Sequence, residues 1–219
     1  MQDATMGKFS SAIAKAGFCA ALAMAASLPH AQTPGASAEA TSTTTSTTTA
    51  LNTPNSGKAA AGDVHADLRE LLPQHKLSGK GRLTVWGFDV YEASLWVTPG
   101  FRIDKLTAQP FALELAYLRD FTNTDIAERS IVEMRRSATI TEAQAKDWMA
   151  AMLRVIPNVK KGDRIMGVYR PGKGAAFLVN GKPTGEIMDA EFARLFFGIW
   201  LSPKTSEPKV RSALLLGAV

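Results

Sequence analysis

The last third of the chain sets the strongest limit on what this sequence can fold into. Two short apolar runs, Arg164–Tyr169 and Ala175–Val179, lead directly into Asn180-Gly181. Asn-Gly is the strongest short signal for a two-residue β-hairpin, because both turn positions need a positive φ angle. A third extended element follows, then an aromatic-rich stretch with helical spacing, and Pro208 opens a last predicted helix. This part of the chain therefore predicts paired strands followed by helices.

The segment before this hairpin adds strands and two more helices. Arg82–Thr98 is rich in β-branched and aromatic residues and predicts a long strand, in which Gly87 marks a bend or bulge. Phe111–Leu118 alternates apolar and other side chains, which predicts a half-buried strand. Because strands and helices are grouped rather than strictly alternating, the sequence predicts an α+β fold with a large antiparallel sheet packed against helices.

Capping residues mark the predicted helix starts. Asp125 with Glu128, and Thr141 with Gln144, have the spacing of a capping box. Asp189 is expected to cap the aromatic-rich helix that follows the hairpin.

The first residues have the pattern of an export signal. Lys8 and Lys15 precede the apolar run Ala16–Leu28, and the small residue Ala31 follows it. The run is shorter than the ~20 apolar residues that a membrane-spanning helix needs. We therefore predict a signal peptide over residues 1–31, and no integral membrane segment after its cleavage.

The single cysteine, Cys19, lies inside this predicted signal. An acylated lipoprotein cysteine is the alternative, but Phe18 stands where a small residue is expected. The cleaved chain then has no disulfide, no thiol nucleophile and no thiolate metal site. A cysteine-free exported protein suits an oxidising compartment, so we expect a periplasmic location.

Composition separates the signal from the folded part. Residues 32–62 are rich in Ala, Thr, Ser, Pro and Gly and include TSTTTSTTTA, which cannot bury much apolar surface. We predict a disordered linker there and one folded domain over residues 63–219. That domain is expected to begin with a short helix that Asp63 caps and Pro73 stops.

Charge and motifs exclude several classes of function. The net charge of +5 comes from scattered Lys and Arg residues without interleaved aromatics, so we predict no nucleic-acid binding. Gly167, Gly172 and Lys173 have the spacing of a Walker loop, but Gly174 replaces the Ser or Thr that would hold Mg²⁺.

Metal and serine-hydrolase chemistry are also unsupported. His30, His65 and His75 lack the spacing of metal ligands. There is no Gly-x-Ser-x-Gly elbow for a serine nucleophile. We predict neither a metal nor another cofactor.

From about Lys76 to Gly217 the chain resembles the chalcone isomerase-like family, in an exported bacterial branch. The resemblance is carried, in this order, by LSGKGRLTVWGFDVYEASLWV, FALELAYLRDF and GDRI…NGKPTGEI…FGIWLSPKTSEP. It implies an open-faced β-sandwich in which helices cover a large antiparallel sheet. It also implies a ligand cleft between the sheet and the helices.

The resemblance implies a possible chemistry as well. Plant enzymes of the family close a chalcone to a flavanone without a cofactor, using an Arg against the developing negative charge and Thr and Tyr hydroxyls near the ketone. Arg82 is the residue that we match to the family Arg, while Ser206 or Thr205 is the weaker match for a hydroxyl. The expected Thr position falls near Trp86, and the helix after Phe121 has no Tyr near its start, which argues against chalcone cyclisation.

The family also contains fatty-acid-binding members whose Arg holds a carboxylate. On that resemblance we predict a non-catalytic binder of a small amphipathic anionic or aromatic ligand, such as a fatty acid. Arg82 is the expected polar anchor, and Tyr91, Arg119 and Ser206 are further expected ligand-binding residues. For Arg119 a salt bridge with Asp120 at a strand end is the alternative reading.

Two other functions stay open at this point. One is a cofactor-independent isomerase (an intramolecular lyase) acting on an enone-like substrate, with Arg82 as the best candidate for a catalytic residue. The other is a structural or protein-partner role, in which the cleft is filled by Trp86, Tyr91, Phe196 and Trp200.

Overall fold

The computed structural model describes residues 68–218. Its strands are β1 (Lys76–Val85), β2 (Phe88–Val97), β3 (Phe111–Tyr117), β4 (Arg164–Arg170), β5 (Gly174–Val179) and β6 (Lys182–Ile187). Its helices are α1 (Asn123–Met134), α2 (Glu142–Val155), α3 (Ala190–Leu201) and α4 (Pro208–Leu214). A 3₁₀ helix (Ile103–Ala108) joins β2 to β3, and residues 68–71 form one further helical turn.

The strands form one six-stranded sheet in the order β1-β2-β3-β4-β5-β6, and every neighbouring pair is antiparallel. Spatial order therefore equals chain order, and helices α1 and α2 lie in the connection between β3 and β4. The predicted α+β class with a large antiparallel sheet packed against helices is confirmed.

The predicted long strand over Arg82–Thr98 is instead parts of two strands joined by a tight turn. Trp86 and Gly87 have φ angles of +50° and +82°, and Val85 pairs with Phe88 across the turn. Two consecutive positive φ angles are the mark of a two-residue hairpin. The prediction of a bend or bulge at Gly87 is wrong, because Trp is not among the residues that usually signal such a turn.

The hairpin predicted at Asn180-Gly181 is confirmed. These residues have φ angles of +50° and +80°, and Val179 pairs with Lys182 across them. The turn joins β5 to β6.

The inner face of the sheet is the face that packs against helices α1 to α4, and the outer face is the opposite one. Aromatic rings make the central contacts between the inner face and α3. Phe111 and Tyr169 stack with ring centroids 4.8 Å apart, and Phe197 of α3 meets both rings edge-on at 5.1 and 5.6 Å. Gly167 leaves the space that Phe197 occupies, since a Cβ atom there would lie 3.0 Å from Phe197 Cζ. This face of the sheet and α3 thus form the centre of the main core.

Part of the outer face is also covered. Leu68 and Leu72, which are 0% and 1% exposed, belong to a second apolar cluster on this face. The sheet residues of that cluster are Ala112, Met166, Val168, Ala176 and Leu178. Strand β3 is consequently buried on both faces, and the prediction of a half-buried strand is wrong because this N-terminal cover is not evident in the strand itself.

Side-chain caps begin three of the helices. Thr141 with Gln144 forms the predicted capping box of α2, and Asp189 accepts a hydrogen bond from the backbone N–H of Phe192 at the start of α3. Helix α1 begins one turn earlier than predicted, because its capping box is formed by Thr122 and Asp125. Asp125 therefore closes that box, which displaces the predicted pairing of Asp125 with Glu128.

Several predictions concern residues outside those that the structure describes. They are the signal peptide over 1–31, the linker over 32–62, and the helix start at Asp63. The domain over residues 63–219 is described only from Leu68 to Ala218.

Helix α4 approaches strand β1 closely enough to require glycine. A Cβ atom on Gly79 would lie 2.1 Å from the carbonyl oxygen of Ala213 and 2.7 Å from that of Leu214. Gly81 is nearly as crowded, with the carbonyl oxygen of Val210 3.0 Å from a Cβ position. Because these neighbours are backbone atoms, a side chain at Gly79 can fit only if the helix moves.

We therefore expect Gly79→Ala to lower the free energy of unfolding by about 1–3 kcal/mol, the usual cost of overpacking. Gly198→Ala in α3 is the matched control, because its nearest new neighbour, Ser202 Cβ, lies 3.8 Å away. In a helix this control should be neutral or stabilising by about 0.5–1 kcal/mol. Urea denaturation of both variants measures the difference, and equal midpoints would contradict the close approach of α4.

Candidate ligand-binding site

Tyr91 lies on the inner face of β2, beneath the helices. Its hydroxyl oxygen accepts a hydrogen bond from Trp200 Nε1 at 2.9 Å, and its ring packs edge-on against Tyr117 with centroids 6.2 Å apart. Burial raises the pKa of the Tyr91 hydroxyl well above its ordinary value, although the bond from Trp200 opposes the rise. The hydroxyl therefore stays protonated at neutral pH and keeps one hydrogen to donate.

Rings rather than open space fill this part of the interior. Tyr91, Phe196 and Trp200 all pack into the main core, and Phe196 meets Trp200 edge-on at 5.6 Å. Trp86 does not take part, since it is 65% exposed at the β1–β2 turn. The expectation that Trp86 helps to fill a cleft is wrong, because the hairpin turn exposes its ring to solvent.

A cluster of opposite charges is centred on the last turns of α1. Glu133 is only 7% exposed, and it pairs with Arg129 at 2.5 Å and with Arg136 Nε at 3.6 Å. Among residues 68–218, its Oε2 atom is buried and lacks a hydrogen-bond partner. We call Glu133, Glu207, Arg129 and Arg136 the charge cluster.

Glu207, in the connection between α3 and α4, completes this cluster. It is half-buried, and burial is the largest reason that its pKa is raised. The nearby Glu133 carboxylate raises the pKa further, while Arg129 and Arg136 lower it. The charges of Glu207 and Glu133 also raise the pKa of the Tyr91 hydroxyl, so the charge cluster lies close enough to that ring to affect it.

An open depression of about 560 Å³ lies next to the charge cluster and shares Arg136 with it. We call it the basic depression, and its lining residues are Arg135, Arg136, Ser137, Ala138, Thr139, Ile140, Glu142 and Lys204. Arg135 pairs with Glu142 at 2.6 Å, and Arg136 Nε donates to the carbonyl oxygen of Lys204 at 3.3 Å. Three cationic side chains thus face one carboxylate in the lining.

The same depression has an apolar part. Ile140 is only 6% exposed and belongs to the main core, against which Ala138 also packs. The basic depression therefore offers a mainly polar and charged surface with a smaller apolar part.

Arg82, the predicted polar anchor, lies on the opposite face of the sheet from Tyr91. In the β1–β2 register Arg82 pairs with Glu92, whereas its neighbour Leu83 pairs with Tyr91. Its guanidinium contacts Asp89 at 2.9 Å and Glu92 at 3.5 Å, and its side chain is 54% exposed. Arg82 and Tyr91 therefore cannot hold the same small ligand in this arrangement.

The other two predicted ligand-binding residues lie at separate places. The Arg119 guanidinium lies over the ring of Phe88, 5.1 Å from its centroid, and Asp120 accepts instead from the backbone N–H of Lys161. Ser206 is half-buried in the α3–α4 connection, one residue before Glu207. The structure thus brings Tyr91 and the Ser206 segment to the same region, and it separates both from Arg82.

Sequence reasoning missed the residues that form the charge cluster. Arg129, Glu133 and Arg136 have i, i+4 and i, i+3 spacing, which is usual for exposed pairs along one helix. Nothing in that spacing indicates that Glu133 is buried. The one sequence signal for the burial of Glu133 is that Ala127, Ile131 and Met134 form an apolar helix face close to it.

Neither a metal cluster nor a membrane-spanning helix is found in the described part of the chain. No group of three or more His, Cys, Asp or Glu side chains is arranged to hold a metal among residues 68–218. His75 lies instead beside Trp96, with ring centroids 5.6 Å apart. None of the helices formed by those residues has the length and hydropathy needed to cross a bilayer.

A family model described as chalcone isomerase-like matches residues 67–216, which is well over half of the chain. The chain belongs to the chalcone isomerase-like family. The resemblance predicted from the sequence is therefore confirmed, as is the family's fold.

Two individual matches agree with this assignment. An uncharacterized protein of Haemophilus influenzae is 25% identical over 131 residues, which cover 59% of this chalcone isomerase-like chain and 63% of that relative. A crystal structure of a fatty-acid binding protein of Arabidopsis thaliana superposes with a TM-score of 0.54. That match has 11% identity and covers 65% of this chain and 87% of the other, so it shows a shared fold.

The raised pKa of Glu207 gives a prediction for stability against pH. A carboxyl whose pKa is higher in the folded than in the unfolded state favours folding when protonated, and this contribution is lost as pH rises through the folded pKa. We expect Glu207→Gln to be more stable than the parent protein at pH 7. The advantage should shrink as pH falls through the folded pKa and be lost by about pH 3, where the carboxyl is protonated in both states.

Urea denaturation at a series of pH values measures this difference. A gap between the two proteins that stays constant from pH 7 to the acid range would contradict a raised pKa at Glu207.

Proposed function

We propose that this chalcone isomerase-like protein is a non-catalytic binder of a small amphipathic anion, such as a fatty acid. The observation that carries the proposal is the basic depression, where an excess of cations lies beside the apolar side chains of Ala138 and Ile140. Arg136 is the proposed anchor for the anionic group, because it belongs to both the depression and the charge cluster.

The charges of the depression favour an anion. Arg135 is neutralised by Glu142, whereas Arg136 is only 3.6 Å from the buried Glu133 and uses its Nε to donate to a backbone carbonyl. Within residues 68–218, the bonds of Arg136 leave its terminal nitrogens available to a ligand. A guanidinium presents its donors in a fixed fork that matches a carboxylate.

The two apolar residues of the lining favour a ligand with a hydrocarbon or ring portion. Ile140 and Ala138 provide that contact without any polar group that would need a partner. The depression has a volume of about 560 Å³ and is open to solvent, so it can contact one side of a small ligand. A small amphipathic anion can pair with the cations and contact these apolar side chains together.

Two observations support binding rather than turnover. Arg82, the best sequence-based candidate for stabilising a reacting oxyanion, faces away from Tyr91. Catalysis of an intramolecular addition needs charge stabilisation and orientation at one place. The Arabidopsis protein of the same fold is named as a fatty-acid binding protein, and this supports the class of ligand.

Titration with a fluorescent palmitate analogue tests the proposal. We expect the full chain to bind this probe at micromolar concentrations and Arg136→Gln to bind it at least about tenfold more weakly, since a lost charge-assisted hydrogen bond costs about 1.5–3 kcal/mol. Arg82→Gln is the matched control, because Arg82 and Arg136 side chains are 54% and 51% exposed. The control should bind like the parent protein.

Each other outcome overturns a defined part of the proposal. If the parent protein does not bind the probe, and native extracts of the purified protein contain no amphipathic anion by mass spectrometry, the binding function is wrong. If Arg82→Gln weakens binding while Arg136→Gln does not, the ligand lies on the outer face and the basic depression is the wrong site.

We also propose that the protein is exported to a periplasm. The support is the sequence pattern over residues 1–31, with Ala31 as the expected last residue of the signal. Intact mass measurement of the protein from fractionated host cells should give a chain that begins at Gln32 in the periplasmic fraction. A full-length chain confined to the cytoplasm would contradict export.

A further inference from the structure

The turn between β1 and β2 presents two large aromatic side chains to solvent. Trp86 is 65% exposed and Phe88 is 53% exposed, on either side of Gly87. A Cβ atom placed on Gly87 would meet nothing within 4 Å, so the turn stands clear of its surroundings. We call Trp86, Gly87 and Phe88 the aromatic tip.

A second turn in the same chain shows that the backbone does not require Trp at this place. Trp86 and Gly87 have φ angles of +50° and +82°, and Asn180 and Gly181 have +50° and +80°. Asn is the residue that such a turn favours, whereas a bulky residue at positive φ is strained. Trp86 therefore adopts a costly conformation without burying its ring in the described protein, and such strain points to a function.

Basic side chains lie at the same end of the sheet as the aromatic tip. The Arg119 guanidinium lies 5.1 Å from the centre of the Phe88 ring. Lys160 and Lys161 are exposed. They lie close to Arg119, because the backbone N–H of Lys161 donates to the neighbouring Asp120 at 2.8 Å. Lys182, which follows the Asn180-Gly181 turn, is also exposed at this end.

The carboxylates at this end are held by donors of the protein itself. Asp163 accepts from the backbone N–H of Lys160 at 2.7 Å, and Asp120 from that of Lys161. Asp89 pairs with Arg82 at 2.9 Å. These backbone bonds leave Asp120 and Asp163 charged, but the cations at this end, Arg119, Lys160, Lys161 and Lys182, outnumber them. The net charge there is positive and favours an anionic surface.

We propose that the aromatic tip docks this protein on a bilayer that contains anionic phospholipids. Trp86 and Phe88 enter the interfacial region, where amphipathic and aromatic rings are favoured. Arg119, Lys160 and Lys161 face the lipid phosphates, which attract nearby basic side chains. The contact is peripheral, and it does not depend on the ligand proposed for the basic depression.

Vesicle co-sedimentation of the full chain tests this inference. We expect binding to phosphatidylcholine vesicles that contain phosphatidylglycerol, and at least about tenfold weaker binding to phosphatidylcholine alone, because basic groups near the surface contribute to the affinity. Trp86→Asn should weaken binding to the anionic vesicles at least about tenfold. Because Asn is preferred in this turn, the variant should unfold at the same or a higher temperature than the parent protein.

Two further measurements make the assignment specific. Brominated anionic lipids should quench part of the tryptophan fluorescence of the parent protein and much less of that of Trp86→Asn, which keeps Trp96, Trp148 and Trp200. Lys160→Gln combined with Lys161→Gln should also reduce vesicle binding. The apolar run of residues 16–28 is identical in every variant, so it cannot cause a difference between them.

The inference is wrong if Trp86→Asn binds anionic vesicles as tightly as the parent protein. It is also wrong if the parent protein does not bind vesicles, or binds uncharged ones equally well. Loss of self-association in Trp86→Asn without vesicle binding would instead identify a second copy of the chain as the partner. Arg136→Gln should keep full vesicle binding, which separates this test from that of the proposed ligand site.

Discussion

The contact between the Phe197 ring and the backbone at Gly167 determines how closely helix α3 packs against the sheet. The Phe197 ring occupies the space that any larger residue at Gly167 would need, and it meets Phe111 and Tyr169 edge-on. Helix α3 can therefore lie close to the centre of the sheet. The same closeness leaves the interior to aromatic rings, so polar groups that can meet a ligand are displaced to the ends of the helices.

Strand alternation then decides which charged groups can act together. Successive residues of a strand point to opposite faces, so Arg82 and Leu83 cannot share a face in β1. Leu83 pairs with the inward-facing Tyr91, and Arg82 consequently joins Asp89 and Glu92 on the other side. A one-residue difference in the placement of the Arg thus moves it from the layer under the helices to the outer surface.

How far the sequence predicts this structure depends on whether a signal is local. The turn at Asn180-Gly181 and the cap at Thr141 depend on residues within a few positions, and both are present as predicted. The turn at Trp86 was not predictable because its first residue contradicts the usual turn chemistry. The cover that Leu68 provides and the burial of Glu133 depend on residues distant in the sequence, so neither strand nor helix periodicity reveals them.

The charge cluster connects ligand binding with protonation. Arg136 lines the basic depression, and its positive charge lowers the pKa of Glu207 by stabilising the ionised carboxylate. An anion bound to Arg136 would offset that positive charge. The pKa of Glu207 should then rise further on binding. By thermodynamic linkage, protonation of Glu207 strengthens binding by the same factor as long as the ligand stays ionised. The contacts of Arg136 with Glu133 and with the Lys204 carbonyl oxygen both use Nε, so a ligand at its terminal nitrogens leaves the buried Glu133 paired with Arg129 and Arg136.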